Sequence, residues 1–272
     1  MAEPIHRPLI VSLVLRHVWR TFQAYRSHFV RLMFIAGTVP VIFVGMALIV
    51  QPSPQPGHVG GFIIFVLLSV LAYSVAYIML AVACHRCVLL AERNLDFAEW
   101  GARVIRYAFQ AFLVALLSSI PAIALFFLSS PLLSSLLPKN PTTEPVSTEV
   151  LVTMFLVTFA IYIPTAYVAG RLSLVLPAVA VDRKLTLTES FSLTEGNGWR
   201  LAVLLGLIPV GIPLALEQAV AFAVGKVTES ASVAWAWGFF NCYFLAACLM
   251  VAAAILSTSF RELAERDFQP NK

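Results

Sequence analysis

The sequence predicts an all-α polytopic membrane helix bundle: about six transmembrane helices, preceded by an amphipathic interfacial helix. Three observations carry this. Of the 272 residues, 60% are hydrophobic and only 12% are charged, about half the ~25% charged share of a soluble domain. So few charges cannot cover a globular surface, whereas a bilayer core solvates apolar side chains directly. Mean hydropathy is +0.88, and long apolar runs recur, near the ~20 helical residues that cross ~30 Å of hydrocarbon. The basic residues flank these runs rather than forming a block of their own. The net charge of +4 therefore points to orientation in a membrane and not to nucleic acid.

The chain reads as a single membrane domain, 1–272, with short loops. Residues 8–27 combine Leu9, Val11, Val14, Val18, Trp19 and Phe22 with Arg16, Arg20 and Arg26. That is the make-up of a helix lying on anionic lipid; a cytoplasmic extension of the first span is the alternative. The basic interruption also argues against a cleaved signal peptide. The spans follow at about 30–50, 62–90, 107–128, 150–171, 201–224 and 233–256. A Pro- and Gly-rich turn separates the first two. The segment 131–137 reads as an interfacial continuation of the third span. Residues 172–181, with Pro177, either extend the fourth helix or lie along the headgroups. Pro209 and Pro213 are expected to kink the fifth.

Charge supplies an independent check. With both termini, the 91–106 connector and the 171–200 connector inside, sixteen of the eighteen Lys and Arg lie there, and only Lys139 and Lys226 lie outside. Trp100 and Trp199 border the inner face, Trp235 and Trp237 the outer, as aromatic belts do.

The two inner connectors resemble one another. Glu92-Arg93-Asn94-Leu95-Asp96-Phe97-Ala98-Glu99 and Asp182-Arg183-Lys184-Leu185-Thr186-Leu187-Thr188-Glu189 both read acid-Arg-x-Leu-x-apolar-x-Glu. Each follows a span ending in an arginine, Arg86 or Arg171. Spans two and three thus read as repeated in spans four and five, the alternative being that short amphipathic connectors look alike. A guanidinium at that depth needs a partner. A carboxylate of the following connector is expected: Glu92 or Glu99 for Arg86, Asp182 or Glu189 for Arg171. A lipid phosphate is the alternative. Arg86, Glu92, Arg93, Glu99, Arg171, Asp182, Arg183 and Glu189 therefore form a candidate inner-face charge or lipid site. Within the spans, Glu217 and Asn241 are the candidate polar residues. Glu217 lies 17 residues beyond Arg200, about 25 Å of helix, which places it near the outer headgroups. Asn241 is expected to bond a neighbouring helix. Small-xxx-small pairs such as Ala166/Gly170 argue for close packing.

No catalytic signature is present: no HExxH, GxSxG, P-loop or Gly-rich dinucleotide turn. The five histidines are scattered. Cys84-His85-Arg86-Cys87 has CxxC spacing, but a structural zinc site needs four ligands, and the pair reads as small packing residues. No cofactor, metal or nucleic-acid partner is expected; membrane lipids are, with a protein partner or homo-oligomer left open.

The segment Arg171-Leu172-Ser173-Leu174-Val175-Leu176-Pro177, with Val181-Asp182, Glu189-Ser190 and Leu193-Thr194-Glu195-Gly196-Asn197, resembles bacterial six-span inner-membrane proteins of the UPF0259 type. It is also similar to the membrane domain attached to some glycerophosphodiester phosphodiesterases. The resemblance implies a bacterial inner-membrane protein linked to the envelope or its lipids. It does not imply phosphodiesterase chemistry, which belongs to a separate soluble barrel. The expectation is a non-enzymatic scaffold, regulator or lipid-interacting protein, with a small transporter or permease as the alternative.

Reporter fusions test the map. Those after Gly57, Pro141 and Thr228 should report the outside, those after Asp96, Thr194 and Lys272 the inside. One well-expressed fusion on the wrong side removes the six-span arrangement.

Overall fold

Apolar composition gives this chain helices, because a helix satisfies its own backbone polar groups where no water can. The computed structural model describes residues 8–49, 59–93, 100–136, 148–213, 215–216 and 231–264. Among them the secondary structure is helical, in an all-α bundle. In order these are α1 (Val11–Ala24), α2 (Arg26–Ile49), α3 (Val59–Leu90), α4 (Trp100–Leu136), α5 (Thr148–Leu172), α6 (Val175–Ala180), α7 (Leu187–Leu193), α8 (Gly198–Leu201), a π-helical segment (Ala202–Gly211) and α9 (Ala231–Ala264).

Five stretches are long and apolar enough to cross a membrane: Arg26–Phe43, Ile63–Leu90, Gly101–Pro131, Leu156–Ala180 and Gly238–Ala264. The expected fifth span is represented by the shorter apolar helix Gly198–Gly211; most of its second half lies outside the described residues. The chain is an integral membrane protein.

Several expectations change in detail. The third helix is longer than 107–128: α4 starts at Trp100 and runs unbroken through Pro121 and Pro131. The segment 131–136 is thus part of the helix, since a proline costs one backbone bond and not the whole element. The interfacial segment is its own helix, α1, parted from α2 at Tyr25 (φ −117°, ψ 22°). Residues 172–181 continue the fourth span as far as Ala180, but through a break in the helix. The chain turns at Ser173-Leu174 and restarts as α6, whose Val175, Ala178 and Ala180 are fully buried, with α6 packed among α3, α4 and α9. Pro177 falls in the first turn of α6, where its missing N–H costs nothing.

Pro209 lies within the π-helical segment. In an α-helix its ring would press on the carbonyl four residues back; wider i→i+5 turns relieve that contact. The same segment packs very closely on α5. A Cβ on Gly206 would lie 2.7 Å from the Ala166 Cβ, and one on Gly170 would lie 3.1 Å from the Ala202 nitrogen. Tyr162 Oη adds a hydrogen bond to the Gly206 carbonyl at 2.7 Å.

Among the described residues the core lies toward one end. On α3 the buried apolar residues run from Leu80 to Val88, while Ile64 and Leu67 are 60% and 64% exposed. On α9 burial concentrates from Ala246 to Phe260. At the packed end these residues meet Val14 and Val18 of α1, Phe29 of α2 and Leu201 and Leu204.

The glycine contacts make a sign prediction. Gly206→Ala should lower stability by about 1–3 kcal/mol through overpacking. Gly238→Ala, with nothing within 4 Å of the added carbon, should be neutral or gain up to ~1 kcal/mol by removing a helical glycine. Thermal melts of the two detergent-purified variants check this, and melts shifting in the same direction would refute it.

Candidate functional site

The N-terminal segment, the 86–106 region, the 171–200 connector and the end of α9 all meet at the packed end of the bundle, through hydrogen bonds the sequence places far apart. Leu9 N–H donates to Asn197 Oδ1 at 2.7 Å. Arg261 donates to the Val88 carbonyl. Arg93 lies over the Tyr25 ring, 4.8 Å from its centroid.

Asp182 is the centre of this end. Helix α6 closes with Arg183 N–H on the Ala178 carbonyl (2.8 Å) and Asp182 N–H on the Val179 carbonyl (3.1 Å), the two bonds of a Schellman ending. That motif puts its left-handed position at Asp182 (φ 57°), where glycine is usual and aspartate is tolerated. The carboxylate thus faces arginines from two other helices. Arg103 donates to Oδ2 from Nη2 at 2.7 Å and from Nε at 2.9 Å. Arg106 donates to Oδ1 at 2.8 Å, and Arg86 Nη1 lies 3.6 Å away. Hydrogen bonds from Arg103, helped by the charges of Arg103, Arg106 and Arg86, hold the carboxyl below its usual range and outweigh the opposing effect of burial.

Arg86 has further partners. Its Nε donates to Glu92 Oε2 at 2.7 Å and its Nη1 to the Ala180 carbonyl at 3.1 Å. Glu92 is thus the carboxylate that meets Arg86; Glu99 lies outside the described residues.

Arg171 departs from the expected pattern. Asp182 is taken by α3 and α4. Glu189 closes a capping box on α7, accepting from Thr186 N–H at 2.7 Å while Thr186 Oγ1 accepts from Glu189 N–H at 3.2 Å. That T-x-x-E spacing is a helix-start signature in the sequence itself. The Thr186 bonds hold the Glu189 carboxyl below its usual range. Arg171 turns instead to uncharged groups. It donates to the Phe191 carbonyl at 2.6 Å and to Thr194 Oγ1 at 3.2 Å, and its guanidinium lies 3.5 Å from the Phe191 ring centroid, a cation–π contact. The 171–198 segment folds around this residue. Ser190 Oγ donates to the Arg171 carbonyl (2.9 Å), Gly196 takes a positive φ of 73°, and a Cβ on Gly198 would lie 2.6 Å from the Tyr167 ring.

The other candidates are scattered. Arg183 is exposed and engaged. Asn241 is half-buried on α9 and takes part in an interaction, and Glu217 lies outside the described residues. The two candidate repeats differ locally: α3 continues past Arg86 to Leu90, whereas α5 ends at Leu172.

A polar group that the sequence reading passed over sits deeper. His85 is fully buried. Its Nδ1 lies 2.7 Å from Ser257 Oγ and its Nε2 lies 3.1 Å from Tyr107 Oη. Ser257 donates its one hydroxyl proton to the Ala253 carbonyl at 2.8 Å. Nδ1 must therefore carry the imidazole proton, leaving Nε2 to accept from Tyr107. The group ties α3, α4 and α9, and borders a cavity of about 170 Å³ whose walls are otherwise mainly apolar, with Ser173 and Leu256 among them. No cluster of three or more potential metal ligands occurs among the described residues.

Asp182→Asn tests the node. A depressed carboxyl contributes stability above its unfolded pKa of ~3.9 and loses it as pH falls through the lower folded value. The side chain is 39% exposed, so screening limits the effect to about 1 kcal/mol at pH 7. Melting temperatures of wild type and variant should differ at neutral pH and converge in acid; a gap independent of pH would show that charge is not what Asp182 supplies. No family model, curated protein or solved structure matches this chain.

Proposed function

We propose that this protein is a non-catalytic scaffold of the bacterial inner membrane that interacts with anionic lipids through its charged, cytoplasmic end. One observation carries the reading: the inventory of partners at that end. Among the described residues there, Glu92, Asp182, Glu189, Glu195 and Glu262 are all engaged. Arg16, Arg20, Arg26 and Lys184 are exposed. The internal ties use the acids and leave basic groups facing outward, which favours an anionic leaflet. The resemblance of the 171–197 segment to inner-membrane proteins fits this placement. So does the distribution of Lys and Arg, which favours a cytoplasmic position for both termini. Transport is the weaker reading, because the described residues that line the cavity beside His85 are apolar apart from His85, Tyr107 and Ser173.

Melting of the detergent-purified protein tests this. Added phosphatidylglycerol should raise the melting temperature more than phosphatidylcholine does. High salt should shrink that difference, as should Arg16→Gln with Arg20→Gln. Equal responses to the two lipids would overturn the proposal.

A further inference from the structure

The break at Tyr25 leaves an open angle between α1 and α2, and α9 closes its back. The result is an apolar groove of about 310 Å³. Trp19 and Phe22 line it from α1, Phe29, Val30 and Met33 from α2, and Met250 from α9. Phe22 and Phe29 meet across the break with centroids 4.5 Å apart and ring planes tilted by 39°. The described residues leave the groove open: Trp19 is 65% and Val30 49% exposed.

Gln23 and Arg26 complete the wall. Arg26 opens α2, and Met33 lies seven residues further along the helix, about 10 Å deeper. A guanidinium thus sits at one end of an apolar channel that reaches two-thirds of the way through a ~15 Å leaflet. Unlike Arg86, Arg103 and Arg171, Arg26 has no carboxylate, carbonyl or aromatic partner among the described residues. Its own stretch of chain supplies none: residues 8–49 hold Arg16, Arg20, Arg26 and Arg31 and no Asp or Glu. An unpaired arginine at a membrane boundary calls for an anion, and its planar fork suits a phosphate. The surrounding positive charge disfavours a headgroup that carries its own ammonium.

We propose that this groove binds one anionic phospholipid, with its phosphate on Arg26 and one acyl chain running along Phe29, Val30 and Met33 to Met250. This rests on the lipid-interaction reading above and gives it a single ordered site. Trp19, at the rim, closes over the glycerol region as interfacial tryptophans do.

Nanodiscs containing phosphatidylglycerol with a diazirine on one acyl chain test it, with cross-links located by mass spectrometry. Labelling should concentrate on Val30, Met33 and Met250, and Arg26→Gln should reduce it about tenfold, the loss of one charge-assisted hydrogen bond. Met33→Trp, which fills the groove, should reduce it also and serves if Arg26→Gln does not fold. Phe112→Leu, at an exposed position of α4 that does not line the groove, should leave it in place. Labelling spread evenly over exposed α4 residues such as Phe112 and Leu116 would overturn the groove. So would cross-links from Met250 to a second copy of the chain, or equal labelling by a phosphatidylcholine probe. Each would leave the phosphatidylglycerol melting result standing. Conversely, concentrated labelling without that melting effect would keep the site and remove the broader lipid-surface reading.

Discussion

Where a helix leaves the hydrocarbon, a charged side chain that stays partly buried needs a partner within reach, and in this protein three arginines from two helices share one carboxylate. Asp182 is brought to its position by the way α6 ends, and it then joins α6 to α3 and α4 through three arginines. Removing the carboxylate would leave guanidinium groups facing one another at a partly desolvated boundary, so the cost lies as much in what remains as in what is lost. The short helix α6 depends on the same contact. It has six residues, too few to be stable alone, and it persists because it is buried among its neighbours and tied at its exit.

The ties around Asp182 define one layer, and the His85 group defines a second layer beneath it. The outer layer uses charge, which tolerates partial exposure. The inner layer uses neutral hydrogen bonds, each with its donor and acceptor assigned, which suits a fully buried location. Beside them the Ala166–Gly170 stripe draws α5 against the π-helical segment. Three kinds of contact thus hold one end of the bundle, and each is suited to its depth.

Helix existence was legible because it is a local property: apolar runs of the right length, bounded by charge, placed α3 and α5 within a few residues. Helix ends were less so, since Trp100 to Arg106 read as polar connector while their first helical turns depend on Asp182, far along the chain. Arg86 with Glu92 could be read, being six residues apart. Arg103 and Arg106 with Asp182 could not, because no local rule links positions nearly eighty residues apart. Glu189 carried a legible signal in its T-x-x-E spacing, and a pairing argument concealed it. His85 looked bland because its two partners come from other helices and are as ordinary in type as serine and tyrosine. The role of residues 172–181 was hidden for a related reason: six apolar residues fit a headgroup plane and a helix junction equally well until their neighbours are known.

The uneven distribution of the core has a mechanical consequence. Free energy of local opening follows local burial and hydrogen bonding, and among the described residues both are concentrated in the half that carries the polar ties. The other half, where α3 and α4 expose large apolar side chains, owes its cohesion more to the surrounding acyl chains than to contacts within the protein. Such a molecule behaves as a hub with compliant arms.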